Sequence, residues 1–345
     1  MTPERILEDA LRQGINEGIF TAGCAAVGVK DDVFGSICVG HAPLPEDAPT
    51  NEHTKFDMAS LSKILGPTMI ALRALEDGTL SLDETIGDFL PEAPQDKRDI
   101  TVQMLMTHTA GFEAHFRMDQ MLDSPEEALP LLLRHPLAEK PGTVPIYSCM
   151  GYITFGKMLE RRFGKPLRVL AKERVFEPLG MAETSYCPDA GSICAATEID
   201  PSTGKPIIGV VHDENARFLG GNSGNAGVFM PLTDGMRFAK MLSGMGNGYL
   251  RRETMKKAIH NYTKGQEEHR GLGFQIAGTE LCFFSDRVPD TCFGHTGFTG
   301  TSMMVEPETG FWVVLLTNRV YPTRESAKMF PWRRKLHGDL WEAYR

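Results

Sequence analysis

The 345-residue sequence predicts an α+β fold: one antiparallel sheet assembled from both ends of the chain, flanked by helices, with a helical subdomain inserted. Two observations carry that expectation. Strand-like segments occur near the start and again after residue 271, and the stretch between them is mostly of helical periodicity. A further helix closes the chain. This order assigns residues 1–60 and 205–345 to a sheet domain and 61–204 to a mostly helical subdomain, with the functional site between them. The sequence contains no internal repeat or low-complexity tract.

Each element has a local reason. Residues 3–19 place Ile6, Leu7, Ala10, Leu11 and Ile15 on one side of a helix. Residues 22–29 and 33–39 read as strands, with Lys30-Asp31-Asp32 as the hairpin between them. Phe56-Asp57 is a short extended lead-in to a helix that opens at Ser60 and runs to about Leu75. Gly66-Pro67 lies inside that helix and is expected to kink it or end its first segment. Further helices are expected over 101–108, 125–134, 150–163, 166–176 and 231–243. Strands return at 272–277, 301–305 and 310–317, and the last helix starts near Ser326.

Composition narrows the classes of function. Apolar content of 41% and charged content of 23% are those of an ordinary globular chain. A formal net charge of −9 and the lack of a basic stripe argue against a nucleic-acid partner. The longest apolar runs, such as 311–316, are too short to cross a bilayer. Residues 1–10 lack a basic region followed by an apolar one, so the expectation is a cytoplasmic protein that acts on a small molecule without a membrane partner. Seven cysteines, an odd number with no Cys-x-x-Cys, favour reduced thiols over a disulfide framework or a zinc site. No metal or cofactor is expected, and the oligomeric state is not legible.

Three segments carry chemistry. Ser60 and Lys63 are three apart, hence on one helix face about a turn from each other. A serine at a helix N-terminus sits at the positive end of the dipole, and a lysine beside it can hold or withdraw the hydroxyl proton. The plainer reading of Ser60 is an N-cap. A second Ser-x-x-Lys, Ser202 to Lys205, lies between Pro201 and Pro206 in a turn with no helix behind it. Tyr147 follows a proline-punctuated approach and precedes a helix start, either facing a cleft or packed at the helix entry. His295 stands in a Gly- and Thr-rich stretch, either open to a ligand or on the surface of a hairpin.

Ser60-Leu61-Ser62-Lys63, Tyr147-Ser148-Cys149 and His295-Thr296-Gly297 together resemble, in chain order, the three motifs of the serine β-lactamase-like superfamily. That superfamily includes class C β-lactamases, DD-peptidases and family VIII carboxylesterases. The segments 105–112, 178–181, 220–229 and 316–322 also look similar to family segments, so the likeness runs from about Phe56 to Pro322. It implies the β-lactamase/transpeptidase-like fold, with Ser60 as acylated nucleophile, Lys63 as its proton-handling partner and Tyr147 as general base. It implies backbone N–H groups of Ser60 and Phe298 as the oxyanion hole, with Phe298 on an edge strand. Thr296, Gly297, Cys149 and Asn318 would contact substrate. Tyr147 serves as a base only if neighbouring cations lower its pKa from about 10.

Two departures from the family pattern matter. Cys149 stands where many members carry Asn, and His295 where β-lactamases and DD-peptidases carry Lys. Both point toward an esterase on small acyl esters, with a D-aminopeptidase, an amidase or a weak β-lactamase as alternatives. A non-catalytic ligand-binding relative is the alternative from another class. Neither Gly-x-Ser-x-Gly nor His-Glu-x-x-His occurs, and His212-Asp213-Glu214-Asn215 reads as a polar loop near the cleft rather than a metal site.

Overall fold

A computed structural model describes residues 1–42 and 48–345. Among these residues, seven strands form one antiparallel sheet and three short strands a second. β1 (Ala22–Val29) and β2 (Asp32–Gly40) are the N-terminal hairpin. β3 (Phe56–Asp57), β4 (Ser185–Tyr186) and β5 (Val228–Met230) make the small sheet, with β5 in its centre. β6 (His269–Arg270), β7 (Gln275–Ile276), β8 (Phe293–Thr296), β9 (Ser302–Glu306) and β10 (Phe311–Thr317) complete the large sheet in the order β2-β1-β10-β9-β8-β7-β6. The fold is therefore α+β, with a sheet drawn from both ends of the chain.

The apolar run of β10 explains the layering. Phe311, Val313 and Leu315 pack with the N-terminal helix Pro3–Asn16 and the C-terminal helix Met329–Tyr344, through Leu7, Leu11, Leu336 and Leu340. Trp312, Val314 and Leu316 point to the opposite face and join the main core with the helices Met69–Glu76, Cys149–Phe163 and Leu232–Ser243. Alternation with period two puts successive side chains on opposite faces, so a strand covered on both sides is apolar throughout. Burying each such side chain contributes about 1.5–3 kcal/mol. No helix among the described residues is long and apolar enough to cross a membrane.

Several expectations change. The cysteine count favoured reduced thiols, but Cys24 and Cys38 are bridged. They are register partners on neighbouring strands, with Cα atoms 4.1 Å apart, so their side chains share one face within reach. The other five cysteines are free. Gly66-Pro67 interrupts the regular α-helix without ending it. A π-helical turn over Ile64–Thr68 takes up the missing Pro67 N–H, and the helix continues as Met69–Glu76. The 272–277 strand shrinks to β7, because Gly273 takes φ +82° in a tight turn that Gly271 N–H closes onto Phe274 O. That turn joins β7 to β6, which sequence periodicity did not reveal.

Candidate active site

The chain delivers Ser60 through a strained turn. Ala59, a non-glycine residue, takes φ +44°, in the left-handed region where a side chain is disfavoured. Asp57, only 2% exposed, holds the turn: one carboxylate oxygen accepts from Ala59 N–H at 2.8 Å and the other from His212 N–H at 2.6 Å. Thr299 Oγ1 donates to Asp57 O at 2.6 Å and Thr301 Oγ1 to Met58 O at 3.2 Å. The loop after β8 is thus tied directly to the turn that presents the serine.

Lys63 is fully buried one turn on. Its Nζ donates to Ser60 Oγ at 3.1 Å and to Asn225 O at 3.0 Å, and lies 3.6 Å from Cys149 Sγ. Burial alone would push the ammonium down, but its interactions with Cys149 and Tyr147 outweigh that and raise the group above the usual lysine value. Lys63 therefore rests as an ammonium.

Tyr147 is clamped from both sides by His108. Ile146 N–H donates to His108 O at 2.8 Å, Ser148 N–H donates to His108 Nδ1 at 3.0 Å, and the two rings pack 4.6 Å apart. Ser148 Oγ caps the helix Cys149–Phe163 by accepting from Gly151 N–H at 2.9 Å. Lys63 Nζ lies 5.0 Å from the centre of the Tyr147 ring. Burial pushes its pKa up, against the pull of Lys63. The condition that neighbouring cations lower this phenol is not met in the resting site, because desolvation outweighs the pull of Lys63.

His295 and Thr296 end β8. His295 Nδ1–H donates to Thr296 O at 2.8 Å, while the buried Nε2 has no partner. Burial, with Lys63 and Arg270 nearby, holds this imidazole well below its ordinary pKa, so it is neutral. Phe298 is not on an edge strand. It sits in a turn that Gly297 closes by donating to Thr301 O and accepting from Gly300 N–H, and β8 is flanked by β7 and β9.

These groups meet in a cavity of about 630 Å³, lined by Ser60, Tyr147, Cys149, His295, Thr296, Gly297 and Phe298. The 212–214 loop lines it too. Among the described residues no cluster of three or more His, Cys, Asp or Glu is placed to hold a metal ion. Asn318 is not in the lining. Its amide is used up inside the fold, accepting from Ala22 and Thr21 N–H and donating to Thr21 Oγ1 and Ala196 O, so its assignment to substrate is corrected.

The sequence reading missed Asp57, His108, Asn225 and Arg270. Asp57 had a usable signal, a carboxylate two residues before the N–H it accepts. Arg270, 5.1 Å from the Tyr147 ring centre, had none.

The Beta-lactamase family model matches residues 7–337. The chain belongs to that family. A putative D-alanyl-D-alanine carboxypeptidase of Escherichia coli (strain K12) is 28% identical over 316 residues, covering 81% of this chain and 72% of that protein. Among solved structures, EstCE1, a hydrolase with promiscuous acyltransferase activity, superposes with a TM-score of 0.79 at 20% identity, over 97% of this chain and 98% of that one. A class C beta-lactamase gives 0.81 at 17% identity, over 99% and 96%. Likeness at that identity speaks for the β-lactamase/transpeptidase-like fold. Family membership places this chain among serine hydrolases of the β-lactamase and DD-peptidase type.

Proposed function

We propose that this member of the family is an esterase on small acyl esters, working through an acyl-enzyme on Ser60. The observation that carries the reading is Lys63 Nζ at 3.1 Å from Ser60 Oγ, inside a cavity where the third-motif residue is an uncharged histidine. Ser60 Oγ attacks the acyl carbon as its proton passes to the Tyr147 oxygen, in the fraction of molecules whose phenol is ionised. Lys63 steadies that anion. The N–H groups of Ser60 and Phe298 receive the oxyanion. Tyr147 returns the proton to the departing alkoxide, then takes one from the water that releases the acid.

An ester suits this arrangement because an alkoxide leaves with less help than an amine. With Lys63 charged and Tyr147 neutral at rest, the reactive form is one proton poorer, so the rate rises about tenfold per pH unit below the pKa of the pair. The carboxypeptidase name of the Escherichia coli relative supports a second reading, a D-aminopeptidase or amidase. A panel of short acyl 4-nitrophenyl esters, D- and L-amino acid amides and nitrocefin separates them. Turnover should be fastest on the esters. A kcat/KM higher for a D-amino acid amide than for every ester overturns the esterase reading.

A further inference from the structure

The cavity that holds Ser60 holds a second nucleophilic atom, which ester hydrolysis does not use. Cys149 Sγ lies 3.6 Å from Lys63 Nζ, the same ammonium that donates to Ser60 Oγ at 3.1 Å. Cys149 is half-buried, lines the cavity and is the first residue of the 15-residue helix Cys149–Phe163. Its sulfur therefore also stands at the positive end of that helix. His115 lines the cavity from the neighbouring loop, whose Ala114 O accepts from Cys149 N–H at 2.9 Å. Burial pushes the thiol up, but Lys63 and His115 outweigh it and hold Cys149 below its ordinary value, against a smaller opposing push from Asp213.

The other free thiols lack this setting. Cys194, Cys282 and Cys292 are buried, and burial raises all three, Cys194 to about 11. Cys187 is exposed, but partial desolvation raises it too, and its thiol donates to Gly220 O at 3.4 Å. The same cavity keeps an unpaired polar atom. His295 is 3% exposed and its Nδ1 proton is spent on Thr296 O, so its partnerless Nε2 is a lone pair that an O–H donor would satisfy. A hydroperoxide is such a donor, and it is small against the cavity of about 630 Å³. Thiolates are what peroxides oxidise, and a partly exposed thiol beside cations supplies them.

We propose that Cys149 is an oxidation site for hydroperoxides, and that its sulfenic acid shuts off Ser60. This rests on Ser60 as the nucleophile, and not on whether the substrate is an ester or an amide. The Cys149 thiolate attacks one oxygen of the hydroperoxide. An S–O bond forms, the O–O bond breaks, and the departing hydroxide or alkoxide takes a proton from water. Sulfur is oxidised by two electrons and the peroxide is reduced by two. The oxygen added to Sγ falls within reach of Lys63 Nζ and competes with Ser60 Oγ for it, so the serine loses the group that handles its proton. A small thiol reverses the step. Its sulfur displaces water from the sulfenic acid to give a mixed disulfide, and a second thiol frees Cys149 and leaves as the disulfide.

The test treats the protein with hydrogen peroxide and reads two things. One is the fraction of Ser60 that still takes a fluorophosphonate; the other is the mass of the Cys149 peptide after trapping with dimedone. The wild type should lose most of its labelling, carry dimedone on Cys149, and regain labelling when an untrapped sample is given dithiothreitol. Cys149→Ala, judged against its own untreated labelling, should lose it at least tenfold more slowly. The source of the reactivity is read on the thiol itself, by its rate of alkylation with iodoacetamide. Lys63→Met should slow alkylation of Cys149 by about tenfold and His115→Gln by severalfold, each with the circular dichroism of the wild type. Equal peroxide sensitivity in wild type and Cys149→Ala, no dimedone on Cys149, or full labelling of protein oxidised there overturns the proposal. So does loss that dithiothreitol fails to reverse, or an alkylation rate that Lys63→Met leaves unchanged. If untreated wild type takes no fluorophosphonate, the Ser60 reading fails by itself, and trapping and alkylation rates decide the oxidation site.

Discussion

The chain holds the same four-residue pattern twice, and only one copy is chemically prepared. At Ser60, a strained turn fixed by Asp57 delivers the hydroxyl to a fully buried lysine 3.1 Å away. At Ser202 the hydroxyl donates to Asp200 at 2.6 Å in an exposed turn, and Lys205 is exposed. In water, Lys205 is an ordinary solvated ammonium with side-chain entropy to lose on ordering. In the core, Lys63 is held by three neighbours and its charge acts in a low dielectric. Spacing makes the two copies equivalent; burial separates them.

The largest effect that can break this comparison is labelling. A fluorophosphonate should place its adduct on Ser60, Ser60→Ala should abolish it, and Ser202→Ala should leave it unchanged. An adduct on Ser202, or on Cys149, sinks the assignment. Next in size is Tyr147→Phe, which should lower turnover by about 10² to 10⁴-fold with little change in substrate affinity. The pH–rate profile sharpens that result. The alkaline rise should persist in the wild type and flatten in the variant, whereas a fall above neutral pH that His295→Lys removes would show that His295 works in its protonated form.

The smallest effect carries the contrast of buried and exposed groups to the histidines. Burial lowers His337 to about 3, while exposed His53 is raised by Glu183. A depressed folded pKa means that the unfolded chain binds the proton first. The stability tied to neutral His337 is therefore complete above about pH 6.5 and is lost as the pH falls toward 3, at up to about 1.4 kcal/mol per pH unit. His108 and His295 act in the same direction. Urea unfolding at pH 6 and pH 4 should show a large loss for the wild type and a shallower one for His337→Gln. Equal slopes would mean that His337 is protonated in the folded state.

The sequence by itself determined the fold class, the order of the motifs and the identities of Ser60, Lys63, Tyr147 and His295 as the groups to bring together. Periodicity and short-range spacing are local properties, and a strand such as β10 or the helix after Ser60 writes them into consecutive residues. What only the tertiary structure decided is the state of those groups. That Tyr147 rests as a phenol, that His295 is uncharged and that Cys24 meets Cys38 all depend on which distant residues displace water. The same holds for the clamp of His108 on Tyr147, made across 38 to 40 positions of sequence. Asn318 makes the point in reverse. It lies in a segment like those of the family, yet its amide joins β10 to the start of β1 nearly 300 residues away and faces no substrate. Charge and proton position follow from solvent exclusion, and solvent exclusion is a property of the packed chain.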